Sequence, residues 1–168
     1  DEGIADRQTL LEPMRKAAAQ AMRAANIVAR IRTYLRRSEP TLDPQDLREI
    51  IAETAAIAEL DAQRQGITLN IEAPSSLPWV LADRIMIEQV ILNLIRNGID
   101  AMQAGSGPGR HLTVIAVRSG ACVETQVIDC GPGIAEAEQK KIFEPFYTTK
   151  RDGMGMGLNI CRSISEFH

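Results

Sequence analysis

Between Asp83 and Ala104 the sequence predicts a helix that is apolar in almost every direction. Asp83 is suited to cap the first turn, and isoleucine, leucine, valine and methionine fill most positions up to Met102. A helix of this kind is expected to be buried, so the rest of the chain has to fold around it. With 45% hydrophobic residues in 168, the composition is sufficient for such a core.

One stripe of this helix is polar. Gln89, Asn93, Asn97 and Asp100 follow one another at intervals of three or four residues, which places them on a single face. Buried polar groups need partners, and the partner is either a loop of the protein or a polar ligand. The helix alone leaves both interpretations open.

Two glycine motifs lie further along the chain. Asp129-Cys130-Gly131-Pro132-Gly133 follows a predicted strand, so its carboxylate can accept from a ligand amine; an ordinary Gly-Pro turn is the alternative. Gly153-Met154-Gly155-Met156-Gly157-Leu158 begins a predicted helix, where free amides and the helix dipole suit phosphate. It is not a Walker loop, because no GK[ST] follows, and no strand leads into it as a dinucleotide fingerprint requires. Together with the polar helix face, the two motifs predict one nucleotide site.

The remaining pattern predicts helices layered on one face of a mixed sheet. Ser119-Gly120 is a hairpin signal between two of the strands. The predicted order is helix 44–65, strand 67–71, strand 79–81, helix 83–104, strands 112–118 and 122–129, helix 135–142, a loop over 143–157 and a last helix that ends at Phe167.

A long helix is predicted over residues 10–37, with apolar residues in a strict heptad pattern from Met14 to Leu35. Its alanine-rich seam implies a helical partner, for example in a dimer. The segment is strongly basic, and Lys16, Arg23, Arg30 and Arg37 repeat on one outer position; this stripe is either a solvated face or a docking surface for an acidic partner. Ser38-Glu39-Pro40 is the predicted hinge.

Composition argues against several classes of protein. A net charge of −3 and an aromatic content of 4% do not favour nucleic-acid binding. No apolar run is long enough to span a membrane, and the first residues do not resemble a signal peptide. The three cysteines form no CxxC pair, which argues against a disulfide framework or a zinc site and favours a cytoplasmic protein.

Four motifs in order resemble the ATP-binding domain of sensor histidine kinases, within the gyrase, heat-shock chaperone, histidine kinase and MutL ATPase superfamily. The resemblance covers roughly residues 40–168. The motifs are an asparagine box at 88–97, a first glycine box at 129–133, a phenylalanine box at 142–150 and a second glycine box at 153–158. The family implies an α+β fold, a two-layer α/β sandwich of the Bergerat type with a mixed sheet, here preceded by the heptad-patterned helix.

The resemblance also implies roles for individual residues, with ATP and Mg²⁺ as ligands. Asn97 would bind Mg²⁺, with Asn93 organising metal and phosphate, and Asp129 would bind the adenine amine. Lys150 would contact the γ-phosphate and, with Asn93, serve catalysis. Phe143 and Phe146 would either anchor a lid or pack in the core. Further nucleotide-binding residues would be Asp100, Gly131, Gly133, Thr148, Thr149, Gly153, Gly155, Gly157 and Leu158.

Two departures from the family pattern are visible. Gly98 stands where alanine is common, and the lid segment between Thr149 and Gly153 is short. At Asn93, the hydrolysing members of the superfamily carry a glutamate that activates water, and an amide cannot act as that base. The resemblance therefore implies phosphoryl transfer rather than hydrolysis, with an ATP-hydrolysing member and a regulatory dimerising module as the alternatives.

The domain organisation expected from the resemblance has two parts. Residues 1–39 resemble the second helix of a dimerisation and phosphoacceptor hairpin, and residues 40–168 an ATP-binding domain without its last strands. The acceptor motif His-Glu-x-x-Asn-Pro is absent around His111 and His168, so this chain alone is not expected to phosphorylate itself. The expected partners are a second copy bound through the N-terminal helix and the receiver domain of a response regulator. The intact protein would be soluble or membrane-anchored, with this segment in the cytoplasm.

Overall fold

The computed structural model describes Met14 and residues 41–103, 109–150 and 153–168. The chain divides into two compact units, Asp1–Glu39 and Pro40–His168, and the second unit is described below. Met14 apart, the predicted helix over residues 10–37, its heptad seam and the predicted hinge lie outside the described residues. That the first unit is part of a dimerisation hairpin stays a prediction.

The first helix of the second unit, α1, spans Leu47–Arg64. Asp46 caps it by accepting a hydrogen bond from the amide of Arg48 at 2.9 Å. The predicted start near Pro44 is wrong, because Asp43–Gln45 forms a strand, β1. Pro44 fits there because a proline is tolerated on an edge strand. The predicted stop at Gly66 is confirmed, with a φ of 65° that favours glycine.

The polar-striped helix, α2, spans Arg84–Met102. Its predicted cap is confirmed, since Asp83 Oδ1 accepts from the amide of Met86 at 3.1 Å. The expectation that this helix is buried all round is wrong at its first turn, where Ile85 is 75% exposed. Burial is confined to one side of the helix, through Ile91, Ile95, Gly98, Ile99 and Met102.

The sheet is mixed, as predicted. Strand β2 (Thr68–Glu72) runs parallel to β4 (His111–Ser119), and β4 pairs antiparallel with β5 (Cys122–Asp129). The predicted β4–β5 hairpin is confirmed, with Gly120 at a φ of 62°. A separate two-stranded sheet joins β1 to β3 (Val80–Ala82).

The core lies between the helices α1 and α2 and one face of the three-stranded sheet. Alternate residues of β4 point into it, as the period of a strand requires. This packing confirms the predicted α+β class with helices layered on a mixed sheet. Its most deeply buried side chains include Ile50, Ile51, Thr54, Ile95, Met102, Leu112 and Val114.

Two further helices complete the described chain. The predicted helix over residues 135–142 is shorter than expected: α3 spans only Glu136–Gln139, and residues 140–142 continue as hydrogen-bonded turns. The last helix, α4, spans Gly157–Phe167, as predicted. Its end is fixed to the start of α2, because Nε2 of His168 accepts from the amide of Asp83 at 3.0 Å. None of the described helices is long and apolar enough to cross a membrane.

Candidate functional site

The polar face of α2 runs past the ends of several other elements. Asn93 lies beside the start of α4, where its Oδ1 is 3.7 Å from the position that a Cβ of Gly157 would take. One turn further on, Asn97 and Asp100 meet the side chain of Lys150. Within the described residues, Asn97 and Asp100 have a loop of the protein as their partner, and Asn93 lies against the second glycine box; a ligand-facing role for this surface stays a prediction.

Lys150 is the residue that the structure brings closest to this face. Its Nζ donates to Oδ1 of Asn97 at 2.9 Å and to Oδ2 of Asp100 at 2.7 Å. Both Lys150 and Asp100 side chains are 42% exposed, so the ion pair stays in contact with solvent. The pair joins residues that are 50 positions apart in the chain and brings the side chain of Lys150 onto α2.

The turn that carries Lys150 is itself compact. Oγ1 of Thr148 accepts from the amide of Lys150 at 3.1 Å, and the amide of Gly153 donates to the carbonyl of Lys150 at 3.1 Å. A Cβ on Gly153 would collide with Oγ1 of Thr148, so the turn needs a glycine there. Thr149 is exposed in the same turn.

Asp129, the last residue of β5, lies against α2 beside Gly98, which stands between Asn97 and Asp100. Its Oδ1 accepts from the amide of Gly131 at 2.8 Å, and its Oδ2 takes no part in this hydrogen bond. The carboxylate comes close to α2 because position 98 is a glycine: a Cβ there would lie 3.3 Å from the Cβ of Asp129 and would collide with Leu112. The departure at Gly98 therefore has a structural role that the sequence motif alone does not reveal.

The first glycine box follows the same surface. A Cβ on Gly131 would lie 3.1 Å from the Cβ of Ala101, so this backbone passes directly over the last turns of α2. Gly133 has a φ of 74°, and no atom of the described residues lies within 4 Å of the position its Cβ would take. The two glycines thus keep a shallow approach to Asp129 free of side chains.

The second glycine box leads into α4. Met156 is its N-cap, and within the described residues no side chain caps the first amides of the helix. Free amides at a helix start, beside Asn93, form an anion-binding arrangement. Leu158 faces away from it, into an apolar groove of about 480 Å³ between α2 and α4. The groove is lined by Val90, Leu94, Phe143, Leu158, Cys161, Arg162, Ser165 and Glu166.

The phenylalanine box forms a strained loop around the glycines. Phe146 has a φ of 67° and is 73% exposed, so of the two alternatives for this residue core packing is excluded. Phe143 is 37% exposed, and its carbonyl accepts from Nδ2 of Asn159 at 2.9 Å. Gly155, with a φ of 64°, has its bare Cα against the backbone of Tyr147, where a Cβ would collide.

Two titratable side chains near these loops have raised pKa values. Burial, then the Glu138 carboxylate, raises the pKa of Tyr147, whose hydroxyl donates to Oε1 of Glu138 at 3.2 Å. Burial raises the pKa of Cys161 to about 11, so its thiol stays neutral at physiological pH and is not an active nucleophile. The motifs alone predict neither the Glu138 nor the Asn159 contact, because both depend on the tertiary packing of the loops.

The order of groups along α2 defines what the surface can bind. Towards the C-terminal end of the helix, the Asp129 carboxylate lies beside Gly98, between the Asn97 and Asp100 positions that contact Lys150; more than one turn towards the N-terminal end, beside Asn93, stand the free amides of α4. This order suits an elongated ligand with a hydrogen-bond donor at one end and anionic oxygens at the other.

Comparison with known proteins gives a consistent result. Residues 82–168 match the family described as histidine kinase-, DNA gyrase B- and HSP90-like ATPase. The chain is 45% identical over 159 residues to the C4-dicarboxylate transport sensor protein DctS of Rhodobacter capsulatus. That alignment covers 95% of this chain but 24% of the relative, so the chain spans about a quarter of its length.

Solved structures of histidine kinases have the same fold. The full-length ShkA in complex with AMPPNP gives a TM-score of 0.65 at 34% identity, covering 77% of this chain and 27% of that one. The histidine kinase ThkA in complex with the response regulator protein TrrA gives a TM-score of 0.70 at 29% identity, covering 88% of this chain and 41% of that one.

Proposed function

Because this chain belongs to the histidine kinase-, DNA gyrase B- and HSP90-like ATPase family, as the catalytic ATP-binding domain of a sensor histidine kinase, we propose that it holds Mg–ATP along α2 and donates the γ-phosphoryl group to a histidine on another segment. The observation that carries the proposal is the order of groups on α2. Asp129 lies beside Gly98, and the bare start of α4 lies beside Asn93, more than one turn nearer the N-terminus of α2.

Adenine is assigned to the Asp129 end. One oxygen of this carboxylate is engaged by the amide of Gly131, and the second is available to accept from an exocyclic amine. Gly131 and Gly133 leave the approach open, since neither carries a side chain that would fill it. ShkA was solved with AMPPNP, which supports an adenine nucleotide as the ligand.

The phosphates are assigned to the α4 end. The free amides after Met156 and the ammonium of Lys150 provide positive charge on the same polar face of α2. Thr148 and Thr149 stand in the same turn as Lys150; Gly153 and Gly155 allow this loop to pack closely, and Gly157 places the start of α4 beside Asn93. Leu158 contributes through the apolar groove behind α4 rather than through a polar contact.

The residues present fit a magnesium ion. Oδ1 of Asn97 and Oδ2 of Asp100 already converge on one cation, the ammonium of Lys150, so their oxygens are oriented towards positive charge. Hard oxygen donors completed by phosphate are the ligands that Mg²⁺ prefers. Asn97 would hold the ion, with Asn93 one turn away; when bound, the ion would neutralise developing charge on the phosphates.

The protein residues favour transfer over hydrolysis. The side chain at position 93 is an amide, which cannot take a proton from water, so no general base is provided there. Its role is to orient a phosphate oxygen beside the amides of α4. The attacking group would be an imidazole placed in line with the bond that breaks, as phosphoryl transfer requires.

Neither histidine of this chain suits the role of acceptor. In His168 both ring nitrogens are engaged: Nε2 accepts from the amide of Asp83, and Nδ1 donates to the carbonyl of Ile164 at 2.8 Å. His111 lies at the start of β4, with Nδ1 3.0 Å from the carbonyl of Gly109. We therefore assign the acceptor to a histidine outside this chain, with dimerisation through residues 1–39 and a cytoplasmic location as further parts of the proposal.

The next step would carry the phosphoryl group to a receiver domain. ThkA was solved in complex with the response regulator TrrA, and the chain resembles ThkA over 88% of its length, which supports a response regulator as the partner. The aspartate of that receiver would accept the group from the phosphohistidine.

Labelled ATP tests the proposal. The chain is mixed with γ-labelled ATP, Mg²⁺ and a separately supplied acceptor helix containing His-Glu-x-x-Asn-Pro, with a His→Gln acceptor as the control. We expect label on the histidine peptide only and little free phosphate. Rapid release of free phosphate without peptide labelling would favour an ATP-hydrolysing enzyme, and binding with neither reaction would favour a regulatory module.

A further inference from the structure

We propose that Lys150 takes the place of a metal ion at α2: its ammonium offsets the charge of Asp100 and occupies the amide oxygen of Asn97, so that Mg²⁺ would compete with it for that oxygen when nucleotide binds. The inference rests on the proposed function, because it assumes that Mg–nucleotide binds at Asn97. It adds a competition between two cations for one oxygen.

The contacts of Lys150 are those of a bound cation. Its ammonium is shared between Oδ1 of Asn97 at 2.9 Å and Oδ2 of Asp100 at 2.7 Å. An ion pair that served only to attach the loop would need the carboxylate of Asp100 alone. The second contact instead takes the amide oxygen that the site would offer to the metal.

The two cations exclude each other at this oxygen. A metal ion bound to Oδ1 of Asn97 would lie close to the ammonium, since both would contact the same atom, and like charges at such a distance repel strongly. The divalent ion arrives with the phosphates of the nucleotide, which offer the lysine new anionic partners. Lys150 would therefore move from Asn97 to phosphate as the metal binds.

The loop allows this movement without refolding. The backbone at Lys150 is fixed by Thr148 and Gly153, while the side chain is 42% exposed and ends in a flexible four-carbon stem. A surface ion pair of this kind is weak enough to break on ligand binding. The backbone hydrogen bonds can thus persist while the ammonium changes partners.

The experiment measures ADP affinity as a function of free Mg²⁺ for the wild-type chain, Lys150→Met and Lys140→Met. Lys140 is an exposed lysine after α3 and serves as the matched control for loss of one charge. We expect the Mg²⁺ concentration for half-maximal ADP binding to fall about two- to five-fold in Lys150→Met, the range of an exposed ion pair, and to stay unchanged in Lys140→Met. ADP is used because it lacks the γ-phosphate that Lys150 would contact.

AMPPNP provides the second arm. At saturating Mg²⁺ we expect Lys150→Met to bind AMPPNP more weakly than the wild type, because the contact to the γ-phosphate is lost. An unchanged or higher Mg²⁺ requirement for ADP in Lys150→Met would overturn the competition while leaving nucleotide binding intact. Failure of the folded wild-type chain to bind any nucleotide would instead refute the proposed function itself.

Discussion

The amide of Gly131 donates to Oδ1 of Asp129 at 2.8 Å, so one oxygen of the carboxylate shapes the first glycine box. An asparagine side chain can keep this hydrogen bond through its own oxygen, but its second atom becomes an NH₂ group. The substitution Asp129→Asn therefore separates the fold of the loop from its use in binding.

We expect Asp129→Asn to weaken nucleotide binding about ten- to hundred-fold. In the variant the side-chain NH₂ of asparagine, a donor, would face the exocyclic amine of adenine, also a donor, where the carboxylate accepted a hydrogen bond. Its urea unfolding curve should stay close to that of the wild type. Displacement of a fluorescent nucleotide measures the affinity, with Asp61→Asn on α1 as a control for loss of one negative charge. An affinity within two-fold of wild type would remove Asp129 from the role assigned to it.

Gly155 and Gly120 offer a matched pair of substitutions. Both have a positive φ, but an added Cβ has open space at Gly120 and meets the backbone of Phe146 and Tyr147 at Gly155. Gly120→Ala should lower the free energy of unfolding by about 1 kcal/mol, the strain of the left-handed conformation, without changing nucleotide affinity. Gly155→Ala should in addition displace the phenylalanine box and weaken nucleotide binding at least several-fold. Equal affinities in the two variants would show that this contact does not shape the site.

The three cysteines report on the site without any substitution. Cys122 and Cys130 are exposed and Cys161 is buried. Iodoacetamide at pH 8 should therefore modify Cys122 fastest, Cys130 more slowly because its thiol donates to Sδ of the buried Met102 at 3.3 Å, and spare Cys161 in the folded chain. Mg–ADP should slow modification of Cys130, which lies next to Asp129, and leave Cys122 unaffected as an internal control. Peptide mass spectrometry measures both rates, and equal slowing of both thiols, or of neither, would argue against adenine at this end of α2.

The same buried thiol predicts a dependence of stability on alkaline pH. Burial raises the pKa of Cys161 from 9.0 to about 11, so between these values the unfolded chain loses its proton while the folded chain keeps it. The stabilising contribution is complete below pH 9 and is lost as the pH rises towards 11. The unfolding temperature of Cys161→Ala should therefore fall less steeply with pH over this interval than that of the wild type. The cavity left by Cys161→Ala lowers the unfolding temperature equally at every pH. Equal slopes of unfolding temperature against pH in the two proteins would therefore contradict the assignment.

Sequence reasoning predicts those parts of the fold that local patterns determine. The cap at Asp83, the stop at Gly66 and the β4–β5 turn each depend on one or two residues whose backbone preferences are strong. It fails at β1, because a three-residue strand around Pro44 exists only through its pairing with β3.

The candidate site divides in a similar way. Helical spacing alone places Asn93 and Asn97 on one face, and the glycine boxes indicate where the backbone comes close. The contact between Lys150 and Asp100 joins distant parts of the chain and has no local signal. The left-handed Phe146 also has none, since a phenylalanine argues against a positive φ.

The central claim is that the chain binds one Mg–nucleotide along α2, and calorimetric titration of the folded protein with AMPPNP tests it most directly. We predict saturable binding of one AMPPNP per chain in the presence of Mg²⁺, and much weaker binding when Mg²⁺ is removed by chelation. A chain that unfolds cooperatively, and is therefore folded, yet shows no binding of AMPPNP with Mg²⁺ present would contradict the account.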